Sequence, residues 1–160
     1  MLFFRELTYV CVWCCIGKKG SRYERELVNR FESCGWGALR CPASGGATDR
    51  ELPDILAGLA FEGPSKDYPI SRALAIELKS GKSTTLYVDK EEVYALRSFA
   101  ESFGATPLLG ARFTTQASST DIYLVKPEDA RMTEKAYGLP LSDIEQRTHL
   151  RVSKHGVQRM

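Results

Sequence analysis

The chain has 160 residues, 43% of them hydrophobic and 26% charged, with a net charge of +2. These values describe one soluble globular domain able to bury its own core, and the absence of any repeat or low-complexity tract sets aside fibrous and solenoid classes. A net charge that small names no partner, so the distribution of charge and the patterning along the chain carry the reading.

Residues 1–17 form an apolar head that contains Arg5 and Glu6 and is short for a membrane span. The basic cluster follows this run, whereas a signal peptide would have it in front. The expectation is an extension without a catalytic role on a cytoplasmic protein. Cys11, Cys14, Cys15, Cys34 and Cys41 make an odd number, which argues against a disulfide framework. Cys11 and Cys14 have zinc-type spacing, but Cys34 and Cys41 lie too far apart for a matching knuckle, so reduced thiols are the reading.

Residues 17–50 hold seven Lys/Arg, including Lys19, Arg22, Arg25 and Arg40, against four acids. Such clustering is either a phosphate-facing surface or an ordinary solvated face. Within it, residues 22–34 read as a helix with Tyr23, Leu27, Val28 and Phe31 on its apolar side and Gly35 as its stop. Glu24 sits beside that stripe and can look into the domain.

Residues 37–41 and 54–61 read as strands joined through Pro42-Ala43-Ser44-Gly45-Gly46. After a polar bend comes the best central strand, residues 73–79. Alternation there sends Leu74, Ile76 and Leu78 to one face and Ala75, Glu77 and Lys79 to the other. Residues 85–88 form another strand. Asp89 and Glu92 make a capping box for a helix whose core face is Val93, Leu96, Phe99, Ala100 and Phe103, closed by Gly104. Residues 107–113 and 121–125 follow as a hairpin. The pattern fades after Pro127: residues 127–131 suggest one helical turn and residues 132–160 a weakly patterned tail. The patterned core is thus residues 18–131, an α/β fold with a mixed central β-sheet flanked by helices.

Asp54, Glu77 and Lys79, with Glu24 upstream, hold the chemistry. Cutting a phosphodiester needs an activated water, neutralised phosphoryl oxygens and a stabilised leaving alkoxide. Carboxylates select a hard cation, magnesium with manganese as substitute, and magnesium keeps waters of which one can attack. Lys79 is a point charge able to steady the phosphoryl oxygens or orient the water. Taken singly, Glu24 is an ordinary helix acid, Lys79 an edge-protecting charge, Ser44-Gly45-Gly46 a plain turn, and Arg40 a snorkelling side chain. Trp36 and Tyr87 read as core residues in preference to base-stacking ones.

The runs Lys19-Gly20-Ser21-Arg22-Tyr23-Glu24-Arg25-Glu26-Leu27, Arg40-Cys41-Pro42-Ala43-Ser44-Gly45, Leu52-Pro53-Asp54-Ile55-Leu56-Ala57-Gly58 and Ile76-Glu77-Leu78-Lys79, in this order, resemble the archaeal Holliday-junction resolvase family. The likeness covers about residues 18–113 and implies a restriction-endonuclease-like fold. It also implies a homodimeric, magnesium-dependent endonuclease that cuts opposing strands of a four-way DNA junction. On this resemblance Glu24, Asp54 and Glu77 correspond to metal-binding acids, Lys79 to the catalytic lysine, and Ser44 to a loop serine near the scissile phosphate. Arg25 and Arg40 correspond to DNA-contacting positions, and Lys19, Arg22 and Lys82 are grouped with them. The implied setting is the cytoplasm at the nucleoid, with no membrane and no small-molecule cofactor. The alternatives are a restriction- or repair-type nuclease acting on linear duplex and a junction-binding protein that does not cut.

Overall fold

In the computed structural model, residues 21–42, 52–59, 73–115 and 120–160 are described. The expected head at residues 1–17, Lys19, Ser44 and the bend at residues 62–70 lie outside them.

The strand that organises the molecule is β3 (Ala73–Gly81), because both of its faces are covered. Before it come α1 (Ser21–Ser33), β1 (Trp36–Arg40) and β2 (Ile55–Leu59), with β2 antiparallel to both β1 and β3. After it come β4 (Thr85–Asp89), α2 (Lys90–Phe103), β5 (Thr106–Phe113) and β6 (Ile122–Val125). The α2 crossover brings β5 parallel to β3, with Leu78 opposite Gly110, and β6 then turns back antiparallel on β5. A Cβ on Gly110 would stand 2.8 Å from Leu78 Cδ1 and 3.3 Å from Leu124 Cδ2, so any larger residue there has to displace leucine side chains of the α1-side core.

The even positions of β3 feed one core. Leu74, Ile76 and Leu78 pack with Leu27 and Phe31 of α1 and with Ile55, Leu108, Ile122 and Leu124. On the other face Ala75 packs with Val93, Leu96 and Ala100 of α2 and with Leu109, Ala111 and Val125. The helices therefore lie on opposite faces, as the period-2 and period-3.6 patterns require. Gly104 ends α2 at φ 74°, a left-handed cap that suits glycine. Trp36 joins the α1-side core, its ring 5.2 Å from Phe31.

Three expectations are corrected. Phe103 is exposed rather than buried; it stacks on half-buried Phe99 in the last turn of α2, past the sheet-facing stripe of Val93, Leu96 and Ala100. Tyr87 is exposed as well, because it alternates with buried Leu86 and Val88 on β4. The largest correction is the tail, which is fully built into the fold. Residues 127–130 form turns, and β7 (Arg131–Met132) and β8 (Ala136–Pro140) follow. Next come a 3-10 turn (Leu141–Asp143), a short helix α3 (Ile144–Arg147), β9 (Thr148–Val152) and β10 (Val157–Arg159).

Both halves of the tail extend sheets. β9 adds antiparallel to β6, with β10 outside it, giving a seven-stranded sheet in the order β1-β2-β3-β5-β6-β9-β10. β8 pairs with β4, so β4 belongs to a separate sheet of order β4-β8-β7 and not to the central one. Leu139, Ile144, Leu150 and Val152 are almost fully buried. Among the described residues no helix is long and apolar enough to cross a membrane.

Candidate active site

Pairing between β2 and β3 ends at Ile55 opposite Ile76. Past that point the Leu78 N–H donates to the side chain of Asp54, Oδ2 at 2.8 Å, in place of a strand carbonyl. The Asp54 carbonyl accepts from Cys41 N–H at 2.9 Å, just beyond β1. Asp54 is thus fixed from both sides where β1 ends and β2 begins, beside β3, which runs on paired with β5. Two residues along β3, Glu77 and Lys79 share the α2 face, as alternation predicts, with Lys79 Nζ 3.1 Å from Glu77 Oε1.

Glu24 approaches from α1, on the other face of the sheet. Its Oε2 accepts from Arg40 Nε at 2.8 Å and from Nη2 at 2.6 Å. Arg40 closes β1 opposite Ile55, so this ion pair lies at the same strand ends as Asp54. Glu24 is near enough for its charge to raise the Asp54 pKa, and Asp54 does the same to Glu77. The four expected residues therefore form one electrostatically linked group. Glu24 is turned to Arg40, however, and among the described residues no three acid, histidine or cysteine side chains close into a ready-made metal cage.

Burial is the largest influence on Glu77, followed by the Asp54 charge; together they outweigh Lys79 and hold its carboxyl at about 7 against an ordinary 4.5. Asp54 is raised chiefly by burial, against the opposing Leu78 N–H. Lys79 is drawn down by burial, but the Glu92 and Glu77 carboxylates prevail and keep it above the ordinary lysine value. A carboxyl that gives up its proton this reluctantly does so chiefly because burial disfavours its charged form.

A stability test follows from the Glu77 value. Between about 4.5 and about 7 the folded state binds a proton that the unfolded state releases, so stability falls as pH rises through this window. The separation corresponds to roughly 3 kcal/mol at most, since Asp54 shares the site. Without divalent ions, Glu77→Gln is expected to melt above the parent at pH 8 and to lose that part of the pH slope. Equal or lower stability of the amide at pH 8 in thermal melts would contradict this account of Glu77.

The candidate DNA-contacting cations are spread more widely. Arg22 and Arg25 are exposed on α1 and line an open cleft of about 700 Å³ with Arg30, Arg112 and Lys154. Lys82 is exposed in the connection between β3 and β4. Arg30 from the sequence cluster serves the fold: its Nη1 donates to the Val152 carbonyl at 3.0 Å, and it pairs with Glu26. Arg112 and Lys154 were not singled out in the sequence, because strand β5 and the β9–β10 turn meet α1 only in three dimensions. Cys34 and Cys41 are free thiols.

A mixed sheet whose central strand presents Glu77 and Lys79 beside an aspartate from the adjoining strand end defines a restriction-endonuclease-like protein. The model of the archaeal Holliday junction resolvase (Hjc) family matches residues 16–155. The chain belongs to that family. A crossover junction endodeoxyribonuclease Hjc of Sulfolobus acidocaldarius is 31% identical over 128 residues, 79% of this chain and 78% of that one. The protein of the same name from Methanocaldococcus jannaschii is 33% identical over 96 residues, 60% of each chain. The solved structure of Archaeoglobus fulgidus Hjc, a Holliday junction resolvase, superposes with a TM-score of 0.63 at 27% identity, covering 79% of this chain and 93% of that one. The stretch matched by the family model, residues 16–155, takes in β7, β8 and β9.

Proposed function

We propose that the chain is an endonuclease that, as a homodimer with magnesium, cuts two opposing strands of a four-way DNA junction in recombination and repair. The observation that carries this reading is the meeting of two half-buried, reluctant carboxylates, Asp54 and Glu77, with Lys79, whose ammonium lies 3.1 Å from Glu77 Oε1. Such a pair suits a hard cation, and magnesium needs only one or two protein carboxylates because it retains water. Asp54 and Glu77 would hold it, Glu24 would be a third acid, and manganese would substitute. When bound, the ion supplies an activated water and neutralises phosphoryl oxygens.

The chain's own groups do the rest. Lys79 places a fixed positive charge beside Glu77, where a phosphoryl oxygen gains charge during cleavage. Arg40 keeps Glu24 by the site until a DNA phosphate competes for its guanidinium, whose planar fork suits carboxylate and phosphate equally. Lys19, Arg22, Arg25 and Lys82 grip the backbone without reading sequence, and Ser44 approaches the phosphate to be cut. Each chain holds one such site, whereas paired cutting needs two. The stacked Phe99 and Phe103 near the end of α2 give a second copy an aromatic patch to dock on. The setting that fits this work is the cytoplasm, at the nucleoid.

The test is incubation of labelled four-way junction, linear duplex and single strand with magnesium. Symmetrical paired nicks confined to the junction are expected. Equal cutting of linear duplex would favour a restriction- or repair-type role, and tight junction binding without nicks a non-cleaving one.

A further inference from the structure

Glu92 entered the sequence reading only as a helix cap, yet its side chain spans two structural elements. Its Oε2 accepts from the Asp89 N–H at 3.1 Å, at the start of α2. Its Oε1 faces Lys79 Nζ at 2.7 Å, closer than Glu77 at 3.1 Å. One oxygen is therefore anchored to backbone while the other is aimed across the gap at β3.

We propose that Glu92 is a positioning residue for cleavage: pinned to the start of α2, its carboxylate holds the Lys79 ammonium beside Glu77. The proposal rests on the nuclease reading and adds a residue to it. Lysine has four rotatable bonds, and a lone contact to Glu77 would leave Nζ free to swing about that oxygen. A second carboxylate from another element fixes it at two points, and the third N–H stays available for a phosphoryl oxygen. The division of labour follows exposure. The Glu92 side chain is 38% exposed and that of Glu77 14%, so Glu92 carries charge at less desolvation cost. Glu77 can then turn its charge toward an incoming cation while Lys79 keeps a partner. Glu92 itself touches no reacting atom.

Glu92→Gln separates this role from capping, since glutamine still accepts from the Asp89 N–H. Thermal melts, competitive acetic anhydride labelling of Lys79 against exposed Lys82, junction affinity, and single-turnover cleavage at saturating junction are measured together. Melting and affinity are expected to hold, Lys79 to be labelled several-fold faster, and cleavage to slow about 10- to 100-fold. Unchanged labelling and cleavage would overturn the proposal, as would a loss of cleavage matched by lost binding or melting. Faster labelling in a protein whose unsubstituted form cuts no junction would instead sink the nuclease reading, and leave the Lys79–Glu92 coupling standing.

Discussion

Glu77→Ala and Asp54→Ala are each expected to lower single-turnover junction cleavage by about 10³-fold or more, with junction affinity nearly unchanged. On the proposed function the two effects separate, because affinity would come from phosphate contacts made by Lys and Arg elsewhere and cleavage from the group of Asp54, Glu77 and Lys79. The alanines are not equivalent. Asp54 also accepts the Leu78 N–H, so its removal leaves a backbone donor without that partner, at a cost of about 1–3 kcal/mol. Asp54→Asn keeps an acceptor and is the cleaner probe. Glu77 accepts only from Lys79 among the hydrogen bonds described, and its alanine removes a carboxyl that burial already disfavours. Cleavage near the parental rate by either variant would remove these acids from the reaction. Loss of junction binding in parallel with cleavage would mean that they serve the DNA surface instead.

The second large effect concerns the fold. A chain ending at residue 131 is expected not to fold, with no cooperative melt and an unfolded near-UV circular dichroism spectrum. Truncation removes Leu139, Ile144, Leu150 and Val152, each almost fully buried. Each such side chain contributes about 1.5–3 kcal/mol on burial, and four together rival the roughly 5–15 kcal/mol that keeps a domain folded. The cut also strips β8 from β4 and β9 from β6, opening two sheet edges over apolar faces. A truncated chain that melts cooperatively near the parental temperature would show that the core closes without its last strands.

That C-terminal region marks where the sequence stops being readable. Both long helices show their apolar stripes, β1 and β4 alternate cleanly, β5 and β6 stand out as short apolar runs, and the caps of α2 lie where Asp89, Glu92 and Gly104 place them. β8 shows no alternation because all five of its residues are buried, and Gly138 and Pro140 count against a strand. β9 is different: Thr148-His149-Leu150-Arg151-Val152 alternates buried and half-buried, a period-2 signal short enough to be passed over. At the site, the shared face of Glu77 and Lys79 came from local alternation alone. The Arg40–Glu24 pair and the Glu92–Lys79 contact depend on how a helix packs on a strand, and no local pattern records that. Phe103 and Tyr87 were misjudged because hydrophobicity reports the wish to be covered, not what does the covering.

The partnership of β4 with β8 also orders events during synthesis. Glu24, Asp54, Glu77 and Lys79 leave the ribosome well before Ala136–Pro140, which pairs with β4, and before Lys135, whose carbonyl accepts from the Lys90 N–H at the start of α2. A nascent chain thus carries all three candidate acids before the brace that aims α2 has been made. The Lys79–Glu92 contact, which depends on where α2 starts, therefore waits for residues 135–140.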